Sequence, residues 1–213
     1  MTFSPPKNNC NLCQRLCEFR TENRQKFPNY HNAPVPSFGS LDAKILVVGL
    51  APGLHGANQT GRPFTNDYAG DVLYPLLKQN GLAHGNYQKR TDDDFQLIDV
   101  RITNAVRCVP PENKPTTQEE KNCRPFLSQE IASMPNLEVI LSLGTISHKN
   151  VLQALGLKQS FAKFSHGAVH SLPYRNIKLI DSYHTSRYNI NTGVLTYEMF
   201  NVIIKKTKEI ITK

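Results

Sequence analysis

Five cysteines, Cys10, Cys13, Cys17, Cys108 and Cys123, are the first residues of this 213-residue chain whose type and spacing suggest chemistry. An odd count without an apolar export segment disfavours a disulfide framework and favours metal ligation or catalysis. Cys10-x2-Cys13 is a tight pair, while Cys108-x14-Cys123 is a looser pair in a distant segment. CxxC alone allows a zinc knuckle, although a zinc ribbon would usually offer two tight pairs. Four thiolates drawn from separated segments also suit a [4Fe–4S] cluster, and buried thiols without metal remain a third reading. Cys17 is then a spare thiol or a substitute for Cys13.

A second group lies in GLAPGLHGANQTGRPFTND (49–67). Its glycines let backbone approach a ligand closely and leave amides free to donate. It matches neither GxxxxGK[ST] nor GxGxxG, so it does not support a nucleotide cofactor. Phe64 could stack on a planar ring or pack in a core. Asp67 could be a charged partner in a site or a helix N-cap, and composition alone favours the cap. Asn104 offers a donor and an acceptor together, which suits the edge of a base. His184, Ser186 and Asn189 cluster in SYHTSRYN (182–189), beside Arg187 and Tyr188.

The elements that must carry these residues alternate. KILVVGL (44–50) is a short apolar run rich in β-branched residues and ended by Ala-Pro-Gly, a buried strand. A loop follows at 53–67, then a helix over 71–80 stopped by Gly81. Residues 95–104 form a second strand region, and 110–115 a proline-rigid loop. Thr116 with Glu119 makes a capping box for a helix of about fifteen residues that holds Cys123. Residues 138–144 are a third strand, 145–155 a helix, 177–184 the fourth strand and 192–211 a long final helix. The first 43 residues read as an irregular segment with one short helix. Apolar strands alternating with helices predict a single domain over 1–213: a parallel four-stranded sheet covered on both faces. Ligands of such sheets bind beyond the carboxyl ends of the strands, where the three motifs fall.

Lys plus Arg number 25 against 17 Asp plus Glu, a net charge of +8, which favours a polyanionic partner, nucleic acid first. Hydrophobic residues make up 39%, which excludes collagen and disorder. No run approaches the ~18 apolar residues of a membrane span. MTFSPPKNNCNLC carries no apolar signal core, so a cytoplasmic protein is expected.

Together, GLAPGLHGANQTGRPFTND, ITNAVRCVPPENKP followed by Cys123, and HTSRYNINTGVLT resemble the uracil-DNA glycosylase superfamily, most closely its iron–sulfur, type-b (family 5) branch. The likeness runs from Cys10 to about Thr196, with the three motifs in order. It implies a three-layer α/β/α sandwich and a [4Fe–4S] cluster on Cys10, Cys13, Cys108 and Cys123, with Cys17 free. The related type-a branch typically carries an acidic residue just after the first strand, where this chain has Leu50-Ala51. Proline commonly stands at the place of Thr185, and glycine at that of Asn66.

The resemblance further implies a monomeric, monofunctional enzyme that acts on a deaminated base flipped out of double-stranded DNA. The base is uracil, with hypoxanthine and other deaminated forms as further substrates. Phe64 would stack on the base, Asn104 read its pairing edge, and the backbone at Ala51 and Gly53 hold a carbonyl. His184 would donate to the developing oxyanion. Asp67 would orient water, helped by Asn189. Ser186, Arg187 and Tyr188 would enter the minor groove. Two other classes compete: a catalytically silent iron–sulfur damage sensor on the same scaffold, and a zinc-stabilised nucleotide-binding protein.

Overall fold

A computed structural model describes residues 3–212. In chain order the elements are α1 (Gln14–Lys26), β1 (Ile45–Gly49), α2 (Ala57–Thr60), α3 (Tyr68–Gln79), β2 (Ala83–His84), β3 (Gln96–Leu97) and β4 (Val100–Asn104), then α4 (Thr117–Ala132), β5 (Val139–Leu143), α5 (Thr145–Ala154), β6 (Val169–Ser171), β7 (Lys178–Ser182), α6 (Arg187–Asn191) and α7 (Tyr197–Ile211).

Alternation along the strands builds the layers. In β1, Ile45 and Val47 face one core with Val72 and Leu73 of α3 and Phe200 and Ile203 of α7. Leu46 and Val48 face the other, with Leu127 and Ile131 of α4 and Val151 and Leu152 of α5. The β1, β4 and β5 side chains are all buried, as expected of strands covered on both faces. The sheet order is β4-β1-β5-β7-β6. The four expected strands are present and parallel, but the sheet has five. The fifth, β6, pairs antiparallel at the edge beside β7. Its short sequence, Val-His-Ser, is largely exposed, so it lacks the apolar signal that marks the others.

Other boundaries move for local reasons. The expected strand at 95–104 is two: β3 pairs with β2 in a small hairpin, and β4 enters the main sheet. Asp99, at φ +55, makes the break. The final helix begins later than expected, at Tyr197 under a Thr196 cap, and a separate short helix, α6, lies ahead of the expected span and ends before Gly193 at φ +71. The first 43 residues hold a 13-residue helix, α1. The Thr116–Glu119 capping box is present. A buried ion pair braces β4 against α4: Arg101 Nε donates to Glu130 Oε1 at 2.6 Å and Arg107 Nη2 to Oε2 at 2.5 Å.

Candidate active site at the carboxyl ends of the strands

Gly49 ends β1 directly beside Asn104 at the end of β4. A Cβ on Gly49 would collide with Asn104 Oδ1 and with the Phe64 ring, so only glycine lets the three converge. Asn104 is 3% exposed, and its side-chain amide makes no hydrogen bond within the protein among the described residues. A nearly buried amide left unpartnered is poised to pair with a ligand. Phe64 is buried at φ +56, and its ring stacks against His184 at 6.2 Å between centroids and 30° between planes.

Asp67 does both things that the sequence left open. Its Oδ1 caps α3 by accepting from Gly70 N at 3.0 Å. The carboxyl also lines a pocket with Ala51, Gly53, His184, Ser186 and Arg187. Gly56 makes room for it, because a Cβ there would sit 2.9 Å from Asp67 Oδ2. Burial pushes the Asp67 carboxyl up to about 6, against the Gly70 N–H that favours the anion. Burial alone pushes His184 down to about 4, so its imidazole is neutral at pH 7. The Ala51 and Gly53 backbone amides, at the same strand end, donate to no backbone acceptor among the described residues.

Asn189 does not line this pocket. Its Nδ2 donates to the His184 carbonyl at 2.8 Å, so it fixes the histidine's backbone. Thr185 is fully buried and donates to Ala69 O at 3.4 Å, which ties the same loop to α3. Asn66 is exposed at φ +61, a conformation asparagine tolerates, and its amide bonds His55 O and Gln59 rather than the pocket. Ser186 caps α6. Arg187 lies 5.4 Å over the Tyr68 ring, and Tyr188 is 73% exposed. Asn113 also lines the pocket, from the proline-rich loop at 110–115. Its φ of +57, beside Glu112 at +54, makes a sharp turn in that loop.

On the other side of β4, all five cysteines line one cavity with Arg20, Arg107 and Asn122. N–H groups point at several of the sulfurs: Asn122 Nδ2 at Cys13 (3.5 Å), Arg20 Nη1 at Cys108 (3.8 Å) and the Arg107 backbone at Cys123 (3.3 Å). Cys17 donates to Cys10 O at 3.3 Å. Among the described residues, the group of His, Cys, Asp and Glu side chains close enough to share an ion is His148, His170 and Asp181, and it includes none of these thiols. Burial pushes Cys108 up to about 12 and Cys123 up to about 11.

Comparison with known proteins gives a consistent picture. The model of the uracil DNA glycosylase superfamily matches residues 36–208. A type-5 uracil-DNA glycosylase of Thermus thermophilus is 43% identical over 94% of this chain and 93% of its own length. One of Pyrobaculum aerophilum is 37% identical over 93% and 87%. A type-4 uracil-DNA glycosylase of Thermotoga maritima is 31% identical over 82% and 81%. Among the described residues, no helix is long and apolar enough to cross a membrane.

Proposed function

The chain belongs to the uracil-DNA glycosylase superfamily, and from that premise we propose that it is a monofunctional repair enzyme hydrolysing the N-glycosidic bond of uracil in double-stranded DNA. The observation that carries this reading is the convergence of Phe64, the unpartnered Asn104 amide, His184 and Asp67 where β1, β4 and β7 end.

The target base lies inside the duplex and must be extruded, at a cost of a few kcal/mol that is least for a mismatch. In the pocket, Phe64 stacks on the base. Uracil presents an N3–H donor and an O4 acceptor, and the Asn104 amide can answer both at once, whereas cytosine presents the reverse pattern. Departure of the base places negative charge on a pyrimidine carbonyl. The neutral His184 imidazole and the Ala51 and Gly53 amides are donors for that charge, and they stand preorganised at the half-buried wall of the pocket. The sugar meanwhile becomes cationic. Asp67, with Oδ1 held by Gly70, presents its carboxylate to the pocket to stabilise the cation and orient the attacking water. The missing acid at Ala51 makes this carboxylate the one available there. Among the described residues, no lysine lines the pocket, in keeping with hydrolysis that leaves the strand intact at an abasic site. Asn189 acts by holding His184. Ser186, Arg187 and Tyr188 face the duplex beside the pocket mouth, and the chain acts as a monomer.

A [4Fe–4S] cluster on Cys10, Cys13, Cys108 and Cys123 belongs to the same proposal. The donor set suits it: soft thiols surround one cavity, with N–H groups aimed at their sulfurs. When bound, the cluster supplies a structural tie between α1, α4 and the DNA-facing loop at 109–115.

The test uses a labelled duplex with one G·U mismatch. A break at the uracil only after heating in alkali is expected. A break without alkali would indicate lyase chemistry, and none under either condition would favour the silent sensor. Duplexes carrying hypoxanthine measure the base range, which the proposal extends to that base.

A further inference from the structure

Phe64 and Asn66 hold left-handed backbone at φ +56 and +61, two residues apart. A bulky aromatic residue adopts that conformation only where its surroundings impose it. Here the surroundings are side chains of the motif itself and of the segments packed against it. Tyr74 donates its hydroxyl to Pro63 O, and Arg62 Nε donates to Thr65 Oγ1 at 2.7 Å. The Tyr87 hydroxyl accepts from Asn66 N at 3.1 Å and donates to Phe64 O at 3.4 Å. One phenol oxygen therefore bridges the two left-handed residues.

The phenol is itself immobilised. Its ring packs on Tyr74 at 4.5 Å and Phe95 at 5.9 Å, with the Arg62 guanidinium 5.8 Å above it. Arg62 is locked by two bonds to Asp93, at 2.7 and 2.8 Å, and Asp93 also accepts from Gln88 N at 3.0 Å. Burial holds the Tyr87 phenol above its ordinary range, so it remains a donor throughout neutral pH. Behind the turn, a Cβ on Gly70 would collide with Phe64 O and stand 3.0 Å from the Tyr87 hydroxyl, so the turn has no room to relax that way.

We propose that Tyr87 is a positioning residue: its hydroxyl sets the Phe64 ring at the stacking wall of the base pocket, with Arg62 and Asp93 anchoring the segment that delivers it. The inference rests on the glycosylase reading. It assigns a purpose to the 85–95 segment, which carries none of the motifs.

The test is Tyr87→Phe, which keeps the ring and removes the bridge, combined with Phe64→Ala in a double-mutant cycle. Holoenzyme in excess over a G·U duplex is expected to excise uracil about tenfold more slowly as Y87F, the loss typical of one hydrogen bond made to order. Affinity for a duplex with an abasic analogue stays within about twofold, and Tm within about 2 °C. In the F64A background, Y87F is expected to cost less than about twofold, because its effect passes through that ring. A wild-type rate in Y87F, an undiminished penalty in F64A, or a loss shared by DNA affinity would each overturn the proposal. Hydrogen exchange over 64–67 is expected to quicken about tenfold in Y87F. Exchange does not depend on catalysis: a wild type that releases no uracil sinks the glycosylase reading, while unchanged exchange in Y87F sinks the clamp.

Discussion

Asp67→Asn should stabilise the protein while disabling it. Asparagine caps a helix as well as aspartate does, so α3 keeps its cap and only the charge is lost. Raising the carboxyl from 3.8 to about 6 means that holding it ionised in the folded protein costs ~3 kcal/mol at neutral pH. Part of that returns as desolvation of the new amide, so D67N gains about 1–3 kcal/mol at pH 7.5. The folded state binds this proton more tightly than the unfolded chain does. The wild type therefore recovers the penalty as pH falls through 6, and the two proteins converge near pH 4. His184, held down to about 4, works the other way and costs stability as pH falls from 6.5 towards 4. It is common to both proteins and cancels in the difference. Urea midpoints by far-UV circular dichroism at pH 7.5, 5 and 4 read this gap. Excision should fall at least about 100-fold in D67N. In the wild type it should fall about tenfold for each pH step below 6, with no second limb from His184 above pH 5.5. A D67N protein less stable than wild type at pH 7.5, or a gap independent of pH, would refute the reasoning.

Three further outcomes follow from other parts of the molecule. Asn104→Ala removes no hydrogen bond, so Tm should hold within about 2 °C while uracil excision drops on the order of 100-fold, measured under single-turnover conditions. Glu130→Ala strands two buried guanidinium groups and should cost about 3–5 kcal/mol, read as a fall in Tm on the order of 10 °C. On the proposed ligand set the purified protein should be brown and hold iron, Cys108→Ser should lose both and Cys17→Ser should retain both, as iron analysis would show.

What could be read in the sequence was local. β1, β5 and β7 announce themselves because a strand buried on both faces has to be an apolar, β-branched run. Thr116 and Glu119 declared their helix because a capping box is a contact between near neighbours. β6 was silent: an exposed edge strand needs only backbone partners, and Val-His-Ser has no pattern to show. The break at Asp99 went unread because a left-handed aspartate leaves the surrounding run of apolar residues intact. In the candidate site, the motif residues were visible as types, but their division of labour was not. Asp67 serves as both cap and pocket carboxylate, and nothing in its spacing distinguishes one role from both. The resemblance gave Asn189 a part in positioning water, and its spacing could not show that its amide bonds the His184 carbonyl. Tyr87 and Asp93 lie more than twenty residues from the loop they hold, and only the packing of α3 against the 85–95 segment brings them there.

The central claim is that this pocket releases uracil from DNA, and the most direct measurement is the free base itself. Holoenzyme at pH 7.5 with a duplex carrying one uracil opposite guanine should yield free uracil in amounts equal to the abasic sites formed, quantified by mass spectrometry, and no free thymine from the matched control. Abasic sites without free uracil, or neither product from an intact brown protein, would contradict the account.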